Sequence, residues 1–210
     1  MIIGLIGLIN SGKGTVATQL VQEYNFRQDS FASSLKDACA AVFDWPRNMI
    51  EGDTKESRAW REEVDPWWSE KLEMPNFTPR LALQVIGTDA LRNNFHEDIW
   101  FLTLQNRIRK NPNQHVVISD VRFPNEIKFI QENGGKLVKV NRGPLPVWYE
   151  TALMANKGNS IAKEVMNKTY SQAHFSEWAW VGTKVDFELN NDETIETLKA
   201  QVRNTISGIL

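Results

Sequence analysis

The stretch GLINSGKGT, residues 7–15, follows directly on the apolar run MIIGLI and indicates the fold of the chain. The apolar run predicts a buried strand, and the residues after the glycines predict a helix over residues 13–24. Glycines in such a bend remove side chains from its inner surface, so backbone N–H groups can point at an anion. The helix adds the positive end of its dipole. This order predicts a bound phosphate, against the alternative of an ordinary strand-to-helix turn.

The bend matches the phosphate-binding loop pattern with one departure. Lys13 is placed to reach over the outer phosphates of a nucleotide, and Thr15 offers a hydroxyl near the first helical turn. Gly14 stands where the standard pattern has Ser or Thr, so a direct Mg²⁺ ligand is missing there. We expect the metal to be held through waters and a carboxylate elsewhere. The predicted nucleotide-binding residues of this loop are Gly7, Asn10, Ser11, Gly12, Lys13, Gly14 and Thr15.

Length, charge and cysteine content favour a cytoplasmic enzyme. A chain of 210 residues can bury a substantial core as one large domain. The net charge of −2 supplies no excess positive charge for a polymeric nucleic acid. The single cysteine, Cys39, rules out an internal disulfide and fits a reducing compartment. The opening run MIIGLIGLI is too short to span a membrane and lacks the features of a secretion signal.

Strands and helices alternate along the chain. Besides the first strand, we predict strands over residues 115–120, 136–140 and 185–189 and a short one within NFRQDSF, residues 25–31. Helices are predicted over residues 13–24, 33–43, 79–95, 97–110, 125–135 and 192–206. The helix over 33–43 is predicted to have a serine cap, and Gly87 is a candidate break in the helix over 79–95. This alternation predicts an α/β fold with a mainly parallel five-stranded sheet and helices on both faces, in one domain over residues 1–210.

The stretch HVVISDVRFPNE, residues 115–126, places charged residues after a buried strand. In a parallel sheet, ligands bind at the carboxyl ends of the strands. If this strand lies next to the first, Asp120 faces the phosphate loop and can hold the waters of Mg²⁺. Arg122 would then lie near a transferring phosphoryl group. The alternatives are a cap or turn role for Asp120 and a surface ion pair for Arg122.

Several stretches together resemble the bacteriophage deoxynucleoside monophosphate kinase family, within the P-loop nucleoside monophosphate kinases. The phosphate loop shares with these enzymes the glycine after the lysine. The closer match is carried by LKDA (35–38), PRLALQVIGTDALRNNF (79–95) and SDVRFPNE (119–126), with weaker matches at HFSE (174–177) and LNNDETIETL (189–198). The similarity covers most of the chain and is thin over residues 44–78 and 143–173.

This resemblance implies a P-loop kinase three-layer sandwich with an acceptor-binding insertion at about residues 44–95 and a lid-like insertion at about residues 143–182. It implies phosphoryl transfer from ATP, with Mg²⁺, to a deoxynucleoside 5′-monophosphate. The product would supply phage DNA synthesis in the host cytoplasm. The resemblance also implies a homodimer.

Residue roles follow from the same resemblance. The predicted catalytic residues are Lys13, Asp120 and Arg122, with Asp120 also holding the metal through water, and Arg142 joins the nucleotide-binding residues. Lys36 and Arg80 are predicted to hold the acceptor phosphate, because planar guanidinium groups and ammonium groups suit it. Asp37 is predicted to orient Lys36 or contact the sugar, and Gln84, Thr88 and Asp89 to read the base or sugar. The alternatives are a solvated helix face for Lys36, and helix capping or packing for the last three residues.

Two segments depart from the family pattern. The lid of nucleoside monophosphate kinases is usually arginine-rich, whereas residues 143–182 contain no arginine. We interpret His174 in this segment as a packed or capping residue. In residues 44–78, tryptophans lie among cations, which suits stacking on single-stranded nucleic acid, but acidic residues are as dense there. We therefore expect most of the eight tryptophans to pack in the core.

Two other functions are consistent with a phosphate loop. One is a small-metabolite P-loop kinase that acts on dephospho-coenzyme A or phosphomevalonate. The other is an ATPase that drives a nucleic-acid partner, although such motors usually have Ser or Thr after the lysine and a second carboxylate after the strand's aspartate. This chain has Gly14 and Val121 at those positions. The base of the acceptor is left open, and the resemblance favours dTMP, dGMP or a 5-modified pyrimidine.

Overall fold

A computed structural model of the protein describes residues 1–209 and contains a five-stranded sheet. Its strands are β1 (Ile2–Ile6), β2 (Arg27–Asp29), β3 (Val116–Ile118), β4 (Lys136–Asn141) and β5 (Phe187–Asn190). They lie in the order β2-β3-β1-β4-β5, and every neighbouring pair is parallel. The predicted mainly parallel sheet is therefore confirmed. Every residue of the central strand β1 is buried, as its apolar sequence requires.

Helices of several lengths connect the strands. The α-helices are α1 (Lys13–Tyr24), α2 (Ser33–Phe43), α3 (Arg47–Glu51), α4 (Lys55–Trp60), α5 (Pro66–Lys71), α6 (Pro79–Gln84), α7 (Ile99–Lys110), α8 (Pro124–Glu132), α9 (Tyr149–Asn156), α10 (Ser160–Lys168), α11 (Phe175–Trp178) and α12 (Ile195–Ser207). A π-helix, Val85–Asn93, follows α6. Among the residues described, no helix has the length and apolar character needed to cross a membrane.

The two faces of the sheet are covered by different helices. Ile3 and Leu5 of β1 join a core cluster with residues of α1 and α12. Gly4, between them in the strand, faces the opposite side, where Ile130 of α8 lies so close that an added Cβ would press against it. Because successive residues of a strand point to opposite faces, α1 and α12 lie on one face and α8 on the other. The predicted three-layer arrangement is confirmed.

Some predicted boundaries were wrong. β3 ends at Ile118, which is its last residue paired with β1. Asp120 therefore lies two residues beyond the strand. β5 begins at Phe187 rather than at residue 185. The serine cap predicted for α2 is wrong, because Ser33 is already helical and Ala32, which has no capping side chain, is the N-cap residue.

The predicted helix over residues 79–95 is two helices of different kinds. α6 ends at Gln84, and the chain continues as the π-helix, with its wider i→i+5 hydrogen bonding. Gly87 packs on α2, where an added Cβ would lie 2.6 Å from Leu35 Cδ2. The carbonyl oxygen of Gly87 accepts a hydrogen bond of 2.8 Å from Trp100 Nε1. π-helices are rare and occur often at functional sites. This one lies in PRLALQVIGTDALRNNF, one of the stretches that carry the family resemblance.

The chain divides into two compact units. The first consists of Met1–Ser30 and the chain from Asn113 onward, and it contains the sheet. The second, Phe31–Pro112, is helical and has an aromatic core of its own, in which Phe43 stacks on Trp45 with ring centroids 4.4 Å apart. The predicted insertion at residues 44–95 lies within the second unit.

Residues 143–182 belong to the first unit and are packed rather than extended. Asn156 Nδ2 donates hydrogen bonds of 2.9 Å to the carbonyl oxygens of Trp178 and Val181. Three tryptophans of this segment are buried, as are Trp45 and Trp100 of the second unit. Five of the eight tryptophans are thus buried, which confirms that most of them pack in cores.

Candidate nucleotide-binding site

The turn after β1 has a shape that two of its glycines make possible. Gly7 has φ +147°, and an added Cβ would overlap the carbonyl oxygen of Val140 in β4. Gly12 has φ +108°, and an added Cβ would overlap the side chain of Asn191. A backbone conformation rare for L-residues and a close neighbour together exclude other residues at both positions. Asn10 also has a positive φ, +62°, which Asn tolerates better than most residues.

The backbone N–H groups at the start of α1 are available to an anion. Within residues 1–209, the N–H groups of Gly12, Lys13, Gly14 and Thr15 donate to no other backbone group, and the first bond of the helix runs from Val16 N to Gly12 O at 3.1 Å. The first turn carries no acidic residue. An added Cβ at Gly14 would meet no atom within 4 Å. Unpaired donors, a helix dipole and open space together form a cradle, that is, a geometry suited to an anion such as phosphate.

Lys13 lies over this cradle with its charge partly desolvated. Its Nζ donates hydrogen bonds to the carbonyl oxygens of Gly7 at 2.9 Å and Leu8 at 2.8 Å. Burial and, as a smaller cause, the nearby positive charge of Arg122 together lower the pKa of Lys13 to about 8. No carboxylate pairs with Lys13 among the described residues, so a bound phosphate would supply the missing negative charge.

Ser11 contributes a buried hydroxyl to the inside of the loop. Only 1% of the residue is exposed, and its Oγ has no hydrogen-bond partner within residues 1–209. A buried hydroxyl without a partner is unfavourable by about 1–3 kcal/mol. The unpaired hydroxyl of Ser11 is consistent with a loop whose donors are satisfied by the oxygen atoms of a bound ligand.

Asn191, directly after β5, is bonded to the backbone of the phosphate loop. Its Nδ2 donates a hydrogen bond of 2.9 Å to the carbonyl oxygen of Ser11. In a trans peptide the C=O and N–H bonds point in opposite directions, so this bond turns the N–H of Gly12 away from Asn191. The matching stretch LNNDETIETL contains this residue, but the sequence alone indicated no role for it.

Arg142, one of the predicted nucleotide-binding residues, lies against the same loop. Its Nη1 donates a long hydrogen bond of 3.5 Å to the carbonyl oxygen of Asn10. The next residue, Gly143, donates its N–H to Asp192 Oδ1 at 2.6 Å. The turns after β4 and β5 are therefore bonded to each other beside the phosphate loop.

Asp120 and Arg122 reach the sheet edge where the phosphate loop lies. They follow β3, which pairs in parallel with β1, so both turns leave the carboxyl ends of neighbouring strands. Arg122 is close enough to Lys13 to lower its pKa. The structure therefore brings Lys13, Asp120 and Arg122, which the sequence placed far apart, to one edge of the sheet.

Glu126 is a buried carboxyl group beside these residues that the sequence alone did not indicate. Its Oε2 accepts hydrogen bonds from the N–H groups of Arg122 at 2.7 Å and Phe123 at 2.9 Å. Burial raises the pKa of Glu126 to about 7; the two N–H bonds act against this shift, and the charge of Asp120 adds to it. The signal was a glutamate at the third position of a helix, which predicts a capping residue but not its burial.

Arg122 also joins two stretches that carry the family resemblance. Its Nη1 donates a hydrogen bond of 3.2 Å to Ser176 Oγ. His174 is the N-cap residue of α11, and its Nδ1 accepts from the N–H of Ser176 at 3.3 Å. The interpretation of His174 as a capping residue is confirmed. SDVRFPNE and HFSE thus meet in space.

In the second unit, Lys36 and Asp37 lie in a network of ion pairs with α3. Lys36 Nζ pairs with Glu51, and Arg47 bonds Asp37 Oδ1 and Glu51 Oε2 at 2.6 Å each. Burial alone would raise the pKa of Glu51, but the bonds from Lys36 and Arg47 outweigh it and the pKa lies below its usual value. The charge of Lys36 is therefore compensated within the protein. Arg47, in the thinly matched segment, gave no signal in the sequence.

Arg80 and the predicted base-reading residues lie on α6 and the π-helix. Arg80 Nε is 3.3 Å from Glu62 Oε1, but the two side chains are 60% and 62% exposed, so this pair contributes little to stability. Gln84, Thr88 and Asp89 are exposed. Their polar groups are accessible to a ligand rather than packed in the core.

The oxygen donors near the phosphate loop suit a magnesium ion that is bound largely through waters and substrate phosphates. They do not suit a metal site formed entirely by protein side chains. No group of three or more His, Cys, Asp and Glu side chains that could hold a metal occurs in the described part of the chain. Asp120 and Thr15 offer one carboxylate and one hydroxyl. Mg²⁺ commonly binds through one or two carboxylates, waters and substrate phosphates, and this set is of that kind.

Comparison with known proteins gives two curated relatives. A protein of Acanthamoeba polyphaga mimivirus, named for deoxynucleotide monophosphate kinase activity, is 38% identical over 156 residues, which is 68% of this chain and 74% of its own length. The deoxynucleoside-5′-monophosphate kinase of Escherichia phage T5 is 44% identical over 55 residues, which is 26% of this chain and 22% of its own. No family model matches the chain.

Among solved structures, shikimate kinase from Aquifex aeolicus is 14% identical with a TM-score of 0.45, and 100% of this chain and 98% of that chain are covered. Dephospho-CoA kinase from Campylobacter jejuni is 14% identical with a TM-score of 0.46, and 99% and 96% are covered. Because both TM-scores are below 0.5, the fold rests on the strand order and the phosphate loop.

The sheet order β2-β3-β1-β4-β5 and the phosphate loop after β1 give the P-loop kinase fold that the sequence predicted. The mimivirus relative extends the likeness to sequence, with 38% identity across 74% of its length. The chain belongs to the deoxynucleoside monophosphate kinase family.

Proposed function

We propose that the protein transfers the γ-phosphoryl group of ATP to the phosphate of a deoxynucleoside 5′-monophosphate, giving ADP and the diphosphate. The observation that carries this proposal is the cradle at the start of α1, where unpaired N–H groups and the desolvated Lys13 face open space. The relatives named for this activity support the choice of acceptor.

The donor phosphates would bind in the loop. The N–H groups of residues 12–15 and the ammonium of Lys13 would hold the β- and γ-phosphates, and Arg142 would contact them beside Asn10. Mg²⁺, when bound, would neutralise charge on these phosphates, and Asp120 is the carboxylate that would hold its waters. Arg122, close to Lys13, would face the transferring group.

The acceptor needs binding and orientation more than proton removal. A phosphate monoester already carries close to two negative charges at pH 7, so its oxygen is a competent nucleophile without a general base. Lys36 and Arg80 would hold this phosphate, Asp37 would orient Lys36, and Gln84, Thr88 and Asp89 would contact the base or sugar. Positioning and charge neutralisation are nearly the whole of such catalysis.

Other features follow from the family. We propose one P-loop kinase domain with residues 44–95 as its acceptor-binding insertion and residues 143–182 as a lid-like insertion. We also propose a homodimer that acts in the host cytoplasm. Sedimentation at several protein concentrations tests the dimer.

A coupled assay of ADP release tests the function. The panel contains the four common deoxynucleoside monophosphates, 5-hydroxymethyl pyrimidine forms, the ribonucleotides, dephospho-coenzyme A and phosphomevalonate. We expect turnover with at least one deoxynucleotide, faster than with its ribose counterpart. Turnover with a non-nucleotide acceptor alone would contradict the proposal. DNA-stimulated ATP hydrolysis without a phosphorylated acceptor would also contradict it.

A further inference from the structure

Arg61, directly after α4, is a half-buried cation whose side chain has no ion-pair partner within residues 1–209. Its Nε is buried and has no hydrogen-bond partner among the described residues. Its guanidinium occupies the space beside Gly52, where φ is +70° and an added Cβ would overlap three guanidinium atoms. Gly52 therefore makes room for this guanidinium.

The charges around Arg61 do not compensate it. Burial lowers the pKa of Arg61, and the neighbouring charge of Arg80 lowers it further. Two carboxylates, Glu51 and Glu62, attract it from a distance, but Glu51 is already paired with Lys36 and Arg47. A partly desolvated cation beside a second cation is unfavourable unless an anion joins them.

A backbone hydrogen bond joins Arg61 and Arg80, and the two charges lie close enough for Arg80 to lower the pKa of Arg61. The N–H of Arg80 donates a hydrogen bond of 2.9 Å to the carbonyl oxygen of Arg61. The weak exposed pair with Glu62 leaves the Arg80 side chain free to turn toward a ligand. Two adjacent arginines with at most one loosely held carboxylate form a binding site for a doubly charged oxyanion.

We infer that Arg61, together with Arg80, binds the phosphate of the acceptor nucleotide. This inference rests on the proposed function for the identity of the ligand. Lys36 would play a lesser part than the sequence suggested, because its charge is taken up by Glu51. In the sequence, Arg61 is one of the cations that lie among the tryptophans of residues 44–78, where the family match is thin, and nothing there indicated a role in phosphate binding.

The test compares Arg61→Met with Arg58→Met. Arg58 lies three residues earlier, is exposed, and donates to the carbonyl oxygen of Asp53, so it is a matched control for loss of one positive charge. We expect Arg61→Met to raise KM for the best deoxynucleotide of the panel roughly 10- to 100-fold, with KM for ATP unchanged. Arg61→Lys, which keeps the charge and loses the planar fork, should lie between Arg61→Met and the native protein. Arg58→Met should change either KM by less than about twofold.

Thermal unfolding gives a second readout that does not depend on turnover. Because Arg61 is an uncompensated charge, Arg61→Met should keep or raise the Tm of the ligand-free protein. Inorganic phosphate, dTMP and dGMP are the probes. At least one monophosphate should raise the Tm of the native protein and of Arg58→Met, but not that of Arg61→Met.

The outcomes separate this inference from the proposed function. If Arg61→Met loses ligand protection while the native protein phosphorylates no nucleotide, the anion site stands and the proposed function falls. If inorganic phosphate protects the native protein as well as the nucleotides do, the site recognises phosphate alone. Unchanged KM and unchanged protection in Arg61→Met would overturn the inference, and so would a selective loss of ATP binding.

Discussion

The affinity for the donor nucleotide should fall as pH rises from 7.5 to 9.5. In the structure, burial and the charge of Arg122 lower the pKa of Lys13 to about 8. A phosphate at the loop would favour the charged ammonium and raise that pKa again. At pH values where Lys13 of the free enzyme is deprotonated, binding of the donor nucleotide must therefore be accompanied by the uptake of one proton.

The magnitude follows from the two pKa values. With a pKa of about 8, the protonated fraction of Lys13 falls from ~0.76 at pH 7.5 to ~0.03 at pH 9.5, so binding should weaken roughly 25-fold. An ammonium with the ordinary pKa of 10.5 would lose only about 10% of its charge over the same range. Phosphate groups have their last pKa near 6 and change little above pH 7.5.

Calorimetric titration with MgADP, which cannot react further, measures this effect. Repeating it in buffers of different ionisation enthalpy counts the protons taken up, and ~0.5 proton is expected at pH 8. AMP, which lacks the β-phosphate that Lys13 would hold, is the control ligand and should bind without this pH dependence. Arg122→Gln should shift the midpoint upward, but only in part, because burial is the larger cause.

A MgADP affinity that stays constant from pH 7.5 to 9.5 would refute the reasoning. The same fall in a folded Lys13→Met variant would refute it as well, since the titrating group would then be another residue. Either result would remove the link between the buried lysine and the bound phosphates.

Three further predictions follow from the contacts. Asn191→Asp, which cannot donate to Ser11 O, should weaken MgADP binding about tenfold and leave AMP binding unchanged. Gln201→Ala, which removes the side chain bonded to the neighbouring Asn190 backbone, should change neither in calorimetric titrations. Gly14→Ala should fold normally, because its Cβ meets no protein atom, but it should bind MgADP more weakly, because that Cβ enters the open space of the cradle. Gly7→Ala should weaken binding and also lower Tm. Normal MgADP binding by Gly14→Ala would contradict the assigned cradle. Glu126 has a raised pKa of about 7, so its protonated form stabilises the fold below its usual pKa of 4.5, and this contribution is lost as pH rises through 7. Glu126→Gln should therefore be more stable than the native protein at pH 8 and no more stable at pH 4.5 in urea unfolding; equal stability at both pH values would show that burial does not perturb this group.

Much of the first unit could be read from the sequence, because its signals are local. The bounds predicted for α1 are those of the structure, since helical periodicity repeats within a few residues. The glycines of residues 7–15 predicted the bend after β1, since the tolerance of a positive φ belongs to each residue itself. The parallel sheet followed from the alternation of strands and helices.

The second unit was less predictable from the sequence. Its short helices carry weak periodicity, and its aromatic core forms between residues distant in sequence, such as Trp45 and Phe77. Within the π-helix, Gly87 contacts Leu35 and Trp100, and no local propensity predicts those contacts.

Tertiary structure alone decided which polar groups are paired. Lys36 was predicted to be a ligand-binding cation, and only the folded chain pairs it with Glu51. In contrast, the buried Nε of Arg61 has no hydrogen-bond partner within residues 1–209. Asn191 reaches Ser11 across 180 residues of sequence. The sequence by itself determines which charged groups and hydrogen-bond donors the protein possesses. Which of them are buried and which are paired depends on distances in space, and those exist only once the chain has folded.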